Sequence, residues 1–235
     1  MRLDARFYSQ STQQLAVSLL GQTLVHVLPD GERLSGRIVE VEAYLSEGDL
    51  ASHSARGPGK KNASMFLPPG TLYVYPIHSR HCLNVVTESA GQGAAVLIRG
   101  LEPVDGWRRM LELRGLKAQA TRSPAAIDLR TAISLTAGPG RLCQALAIDR
   151  RHDGLDLASS DQVWLEPGDC PTASLPDPPM SVSCGQRIGI SQAQDLPLRW
   201  FFDGHHFVSG LARHHTRGRH WSFQNYPARQ AKLQP

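Results

Sequence analysis

The chain contains no uninterrupted run of about 18 apolar residues, the length a membrane-spanning helix needs, so no membrane span is expected. Residues 1–10 carry charges but no apolar block, so a secretory signal is not expected there. Cysteine is sparse. Cys82, Cys143, Cys170 and Cys184 form no Cys-x-x-Cys pair, which argues against a zinc ribbon. Scattered thiols without a signal sequence fit a reducing compartment. A cytoplasmic (nucleoid-associated) or nuclear location is therefore expected, and secretion is not. Internal repeats and a clear linker are also lacking. Acid is missing from residues 211–235, which hold Arg213, Arg217, Arg219, Arg229 and Lys232. Those five cations exceed the formal net charge of +4, so the rest of the chain is weakly acidic. A basic end suits nucleic acid. It equally suits a solvated, disordered terminus.

What is present is an ordinary globular mixture: 235 residues, 41% hydrophobic and 20% charged. That allows one large domain or two small ones, and a core that needs no staples. Ser11 or Thr12 caps an expected helix over 13–20, stopped by Gly21. Residues 23–28 and 32–45 read as a hairpin turning at Pro29-Asp30-Gly31. A long polar loop, 46–69, has no hydrophobic period, and such loops are often functional. Further strands are expected over 71–75, 82–87, 94–99, 163–166, 180–184, 187–190 and 198–202. Helical spacing marks 102–116, with Pro103 in the first turn, and 138–148. Residues 167–179, rich in proline, aspartate and serine, read as an exposed loop. The expected fold is a single α/β domain with a largely antiparallel, curved sheet flanked by helices.

Gly36-Arg37-Ile38-Val39-Glu40-Val41-Glu42-Ala43-Tyr44 carries the most information. Side chains alternate across a strand. Ile38, Glu40, Glu42 and Tyr44 would share one face, and Val39, Val41, Ala43 and Leu45 would face the core. A face that sets an acid beside an aromatic ring can hold a flat ligand and move a proton next to it. The alternative for Glu42 is a solvated strand carboxylate. For Tyr44 it is ordinary sheet packing.

The chain resembles the alkyladenine (3-methyladenine, or methylpurine) DNA glycosylase family. The matching stretches are residues 36–44, Ala51-Ser52-His53-Ser54, 62–66, Pro69-Gly70-Thr71-Leu72-Tyr73-Val74-Tyr75, and Cys82-Leu83-Asn84-Val85-Val86-Thr87. They continue with 96–103, Gly138-Pro139-Gly140-Arg141-Leu142-Cys143-Gln144-Ala145-Leu146, Arg187-Ile188-Gly189-Ile190 and Leu198-Arg199-Trp200-Phe201. Their order covers nearly the whole domain. The resemblance implies a glycosylase-like domain over 1–212 and a basic, flexible tail over 213–235. It implies a monomer that acts on double-stranded DNA containing damaged purines, of the 3-methyladenine, 7-methylguanine, hypoxanthine or ethenoadenine class. Such an enzyme hydrolyses the N-glycosidic bond of a purine it has rotated out of the duplex, because the bond is out of reach inside the stack.

Residue by residue, the resemblance makes Glu42 the general base for water and sets Arg99 near that water and the nucleotide backbone. A guanidinium suits this because it stays charged and its fork binds oxyanions. For Arg99 the alternative is a surface arginine ending a strand. Glu40 is expected to support a neighbouring basic side chain, with no catalytic role. Tyr44, His53 and Tyr75 match the walls of the purine pocket, where aromatic faces suit flat cationic rings. Asn84 matches an asparagine that rejects guanine by clashing with its 2-amino group. Val208 matches a residue whose carbonyl helps hold the water. One position departs from the family: His78 stands where a tyrosine wedge is usual, and the segment before Cys82 is one residue shorter. His78 is the expected DNA wedge, with Arg80 or His81 sharing its task. No lysine stands where it would form a Schiff base, so a monofunctional hydrolase that leaves an abasic site is expected. His205, His206, His214, His215 and His220 match no established zinc spacing, so neither metal nor cofactor is expected. The rival reading is a non-catalytic, damage-recognising DNA-binding protein of the same fold.

Overall fold

The computed structural model describes residues 1–117, 128–168 and 181–210, and the backbone of 219–221. Among the described residues nine strands form one sheet: β1 Thr23–Val27, β2 Arg33–Tyr44, β3 Leu72–Ile77, β4 Arg80–Val86, β5 Ala95–Asp105, β6 Val163–Glu166, β7 Val182–Gly185, β8 Arg199–Phe202 and β9 Arg219–Trp221. Every pairing is antiparallel. The main path runs β3-β4-β5-β2-β8-β7-β9, with β1 branching from β2 and β6 pairing with β1. The 12-residue β2 is the axis. β5 follows one of its edges. The other edge is shared, with residues 33–37 paired to β1 and 40–42 to β8. Two strands leaving one edge at different heights split the sheet there, and ordinary strand twist curves it. The α/β architecture with a curved antiparallel sheet matches the expectation.

The helices are short: α1 Ala5–Tyr8, α2 Thr12–Leu19, α3 Trp107–Leu113, α4 Leu129–Thr136 and α5 Pro139–Ala145. α2 has Ser11 at its N-cap position, buries Leu15, Ala16 and Leu19, and ends before Gly21, whose φ of +85° suits the exit turn. α4 has no counterpart among the expected elements. Its N-cap is Asp128, whose carboxylate accepts the Thr131 N–H at 3.0 Å. The β1–β2 turn falls at the expected place, with Gly31 at φ +85°. The 46–69 loop contains two 3-10 turns, His53–Arg56 and Ala63–Phe66.

Three expectations are corrected. The helix expected from Glu102 starts only at Trp107, because residues 102–105 extend β5 and pair with 35–37 of β2. Arg37 ion-pairs with Glu102, and Arg33 and Ser35 both bind Asp105, so cross-strand charge outweighs the helical pattern. Pro103 lies beside a register shift, where a missing N–H is tolerated. Residues 187–190 are not a strand but a bend, with Gly189 at φ +80°. There the Ile188 N–H is drawn to a carboxylate instead of a ladder. Finally, Ile38 does not share the face of Glu40. It lies in the main core together with Val39, because the alternation breaks at Val39, a surplus residue between the pairs Ile38–Leu101 and Glu40–Gly100.

Beyond that break the alternation holds. Val41 and Ala43 join Leu72, Val74, Leu83, Val85, Val96 and Ile98 in the main core, packed against α2 and α5. Leu45 packs against this core, partly buried. Register places Tyr73 opposite Asn84, Asn84 opposite Leu97, and Leu97 opposite Glu42, so these four share the second face. This face carries a small cluster of its own: Met65, Tyr73, Val86 and Ala95, with Tyr44, Phe66 and Tyr75 against it. Cys82, Cys143 and Cys184 are buried thiols outside any disulfide. Cys170, almost all of the expected 167–179 loop and the basic residues Arg213, Arg217, Arg229 and Lys232 lie outside the described residues, as do His214 and His215. Within the expected tail, Arg219–Trp221 pairs with β7. Among the described residues no helix is long and apolar enough to cross a membrane.

Candidate active site

Two bulges build the site. Ile38 pairs with Leu101, Glu40 with Gly100, and Val41 with Ile98. Val39 is thus the extra residue on β2, and Arg99 the extra residue on β5. A bulge re-aims the side chains around it. Here it turns Arg99 onto the two carboxylates. Arg99 Nε donates to Glu40 Oε1 at 3.3 Å, Nη1 to Glu42 Oε2 at 3.1 Å, and Nη2 to Ser209 Oγ at 3.3 Å. Arg99 is only 7% exposed, which rules out the surface-arginine alternative. Gly100 has to be glycine for this packing. A Cβ there would stand 2.6 Å from the Phe207 carbonyl oxygen and 3.3 Å from Glu40 Oε2.

Glu42 is fully buried, so the solvated-carboxylate alternative is also excluded. Its Oε1 accepts the Ile188 N–H at 2.7 Å, and its Oε2 accepts Arg99 and the Tyr44 hydroxyl, the latter at 3.0 Å. Burial pushes its pKa above the ordinary carboxylate value, against the opposing pull of Arg99. Glu40 accepts Arg199 Nε and the Ser209 N–H, each at 2.6 Å, as well as Arg99. That is the supporting role expected of it. Arg187 binds Asp49 bidentately at 2.6 and 2.7 Å, and its Cζ lies 4.7 Å from the Tyr44 ring centroid. Three carboxylates (Glu40, Glu42, Asp49) thus meet three guanidiniums (Arg99, Arg187, Arg199), all six buried. Such a balance is what makes ionised groups tolerable away from water.

On the same face, β3 presents Tyr73 and Tyr75. His53 Nδ1 lies 2.8 Å from the Tyr73 hydroxyl, and its ring centroid is 4.5 Å from that of Tyr75 at a steep angle. Burial lowers the His53 pKa, which favours the neutral ring. These three side chains wall a cavity of about 700 Å³, with Arg56, Lys60, Lys61 and Arg150 also lining it. A neutral aromatic wall flanked by cations suits a flat ring attached to a phosphate backbone. Glu42, Arg99 and Tyr44 do not line this cavity. Tyr44 joins the two regions, with its hydroxyl on Glu42 and its ring in the cluster that holds Tyr73 and Tyr75.

Asn84 is 3% exposed, and its Nδ2 donates to the Tyr73 carbonyl at 2.9 Å, which fixes it beneath the aromatic wall. Val208 is buried in the segment crossing Gly100, one residue before the Ser209 that binds Glu40. His78 stands apart from the others. It is exposed at the β3–β4 hairpin tip with φ +51°, while Ile77 and Arg80 close the hairpin behind it. Arg80 packs on Gly140. Tyr73, Asp49, Arg187, Arg199, Ser209 and the Ile188 N–H belong to the site without having been singled out in the sequence. Tyr73 could have been found from its two-residue spacing to Tyr75. The others depend on long-range contacts with no local signal. Among the described residues, no three His, Cys, Asp or Glu side chains are grouped to hold a metal.

A sequence model of the methylpurine-DNA glycosylase family matches residues 6–206. A Rhodopirellula baltica protein named for 3-methyladenine DNA glycosylase activity is 50% identical over 217 residues, covering 92% of this chain and 87% of that protein. Mouse DNA-3-methyladenine glycosylase is 44% identical over 217 residues, which are 90% of this chain and 62% of the mouse protein. The human protein of the same name is 42% identical over 217 residues, 90% of this chain and 69% of the human one.

Proposed function

The chain belongs to the methylpurine-DNA glycosylase family and is a DNA glycosylase of DNA repair, and on that premise we propose that it extrudes a damaged purine from double-stranded DNA and hydrolyses its N-glycosidic bond with a water activated by Glu42. The observation that carries this is the pose of Glu42: buried, hydrogen-bonded to Arg99 and Tyr44, and on the sheet face whose aromatic side chains wall the cavity. The purine enters between Tyr44, His53 and Tyr75. The water attacks C1′ of the sugar, Glu42 takes its proton, and the bond electrons leave with the base. The negative charge of Glu42 also stabilises an oxocarbenium-like transition state. Arg99 and the segment of Val208 orient the water, and Asn84 excludes guanine by its position below Tyr73. The reaction leaves an abasic site and an intact strand, and the enzyme works as a monomer.

A 3- or 7-alkylated purine is cationic and needs no further proton to leave. A neutral purine such as hypoxanthine does. Glu42 must be ionised to act, so both rates rise with pH through its raised pKa, and the acid limb lies above the usual carboxylate range. Only the neutral base adds a fall at higher pH. The expected result is a plateau for 7-methylguanine and a bell for hypoxanthine in single-turnover pH–rate profiles. Parallel curves would reject the assignment. Base release without alkali-independent strand breakage, scored across methylated, deaminated and etheno-modified purines in duplex and single strands, tests the substrate class.

His78 enters the gap left by the extruded nucleotide. Stacking of one aromatic side chain on a base contributes about 1–3 kcal/mol. His78→Ala is therefore expected to weaken binding to a duplex carrying a flipped-base analogue by at least about fivefold. Equal affinity of the variant and the parent protein would remove His78 from this role.

A further inference from the structure

We infer that the buried Asp49–Arg187 pair is a positioning clamp for the general base: it fixes the bend that delivers the Ile188 N–H to Glu42 and braces the ring of Tyr44 from behind. This rests on Glu42 being the base, as proposed above. Both side chains of the pair are 0% exposed. Arg187 reaches across to β2, where Nη1 donates to the Ala43 carbonyl at 3.0 Å, between Glu42 and Tyr44. Asp49 in turn accepts the N–H groups of Leu45 and Ala51, each at 3.1 Å, so its carboxylate ties down the chain just after β2. The clamp thus joins the end of the strand that bears the base to the bend at 187–190. Among the described residues that bend has no strand partner to hold it, and Gly189 at φ +80° gives it a left-handed kink. Apart from the Gln194 side chain on the Ile190 carbonyl at 2.7 Å, the clamp is the contact that holds this bend where the Ile188 N–H lies 2.7 Å from Glu42 Oε1.

This donor matters because Oε2 of Glu42 is already occupied by Arg99 and Tyr44. Oε1 is the oxygen whose orientation the Ile188 N–H sets. A hydrogen bond to a carboxylate favours its ionised, proton-accepting form. The other groups that face Glu42 are Glu40 and Tyr44 on β2, Arg99 on β5 and Cys82 on β4. Of these only Tyr44 touches the clamp, through the Arg187 guanidinium over its ring. Arg187 lies over Tyr44 as a cation on a ring face, which holds the ring in plane for a purine on its other side.

Asp49→Asn keeps the size and most hydrogen-bonding capacity of the side chain but removes its charge. It is expected to slow single-turnover excision of 7-methylguanine by about tenfold or more, the scale of one hydrogen bond to a charged group. It should also move the acid limb of the pH–rate profile upward by about one unit. Affinity for lesion-bearing duplex should change by less than about threefold. Arg187→Lys, which keeps charge but loses the two-pronged grip, should give the same upward shift. In a Glu42→Gln background, Asp49→Asn should cause no further loss of rate, because both changes act through one group. A merely structural pair would lower the melting temperature and binding in both backgrounds and leave the acid limb where it was; that result overturns the inference. If Glu42→Gln itself keeps the parent rate, the reading of Glu42 as base fails first, and the two failures are told apart.

Discussion

Glu42→Gln should retain binding to duplex containing a damaged purine and lose base release by about 10²–10⁴-fold, the range over which a positioned general base accelerates proton transfer. The amide is close to isosteric. Its carbonyl can still accept the Ile188 N–H or the Tyr44 hydroxyl, which the carboxylate accepts at 2.7 and 3.0 Å. What it lacks is the charge that takes a proton and faces the developing positive charge on the sugar. Single-turnover excision of 7-methylguanine, measured beside equilibrium binding to an uncleavable lesion analogue, separates the two effects. Loss of binding and rate together would mean that Glu42 is there for packing, and an unchanged rate would place the base elsewhere. The same measurement separates an enzyme from the binding-only rival, since only the enzyme has a rate to lose.

The second large effect is on stability. Glu40→Ala should cost about 3–5 kcal/mol, because it leaves Arg99 and Arg199 without the carboxylate both of them contact in a buried site. In a chain of this size that corresponds to a fall in melting temperature of roughly 6–20 °C. It also orphans the Ser209 N–H, which Glu40 accepts at 2.6 Å. Glu40→Gln keeps an acceptor for that donor, so it should cost less than the alanine change but more than an exposed substitution. Urea melts of the three proteins test this order. A loss below about 1 kcal/mol for Glu40→Ala would show that water reaches the guanidiniums, against their 7% and 0% exposure.

Much of this site could be read in the sequence because strands carry a period of two. The spacing of Glu42 and Tyr44 placed both on one face, and Val41 and Ala43 on the other. The hairpin at Gly31 and the helix ending before Gly21 were legible from their turn residues. What failed was non-local. Residues 102–105 have helical spacing, but their charges are matched on β2, and the strand wins. Residues 187–190 alternate like a strand, yet the backbone donor goes to Glu42 and the guanidinium to Asp49. Arg99 was singled out for its family resemblance, whereas its inward aim depends on a bulge that no periodicity reveals. Its coverage, and that of Glu42, was equally hidden, since burial on both faces of a strand depends on what arrives from 187–190 and 207–209.

The paired bulges carry a consequence for how this scaffold tolerates change in length. Across β2 and β5 the partners share one register from Gly36–Pro103 to Ile38–Leu101, fall out of step at Glu40 and Gly100, and return to the same register from Val41 and Ile98 onward. One surplus residue on each strand cancels the other. A single-residue deletion at either bulge would therefore slide Glu42 and Tyr44 past Leu97 and Ala95 and turn the acid toward the apolar side, whereas removing Val39 and Arg99 together would restore the ladder but discard the guanidinium. Between Gly36 and Tyr44 on one side and Ala95 and Pro103 on the other, the two strands are bound to keep equal counts.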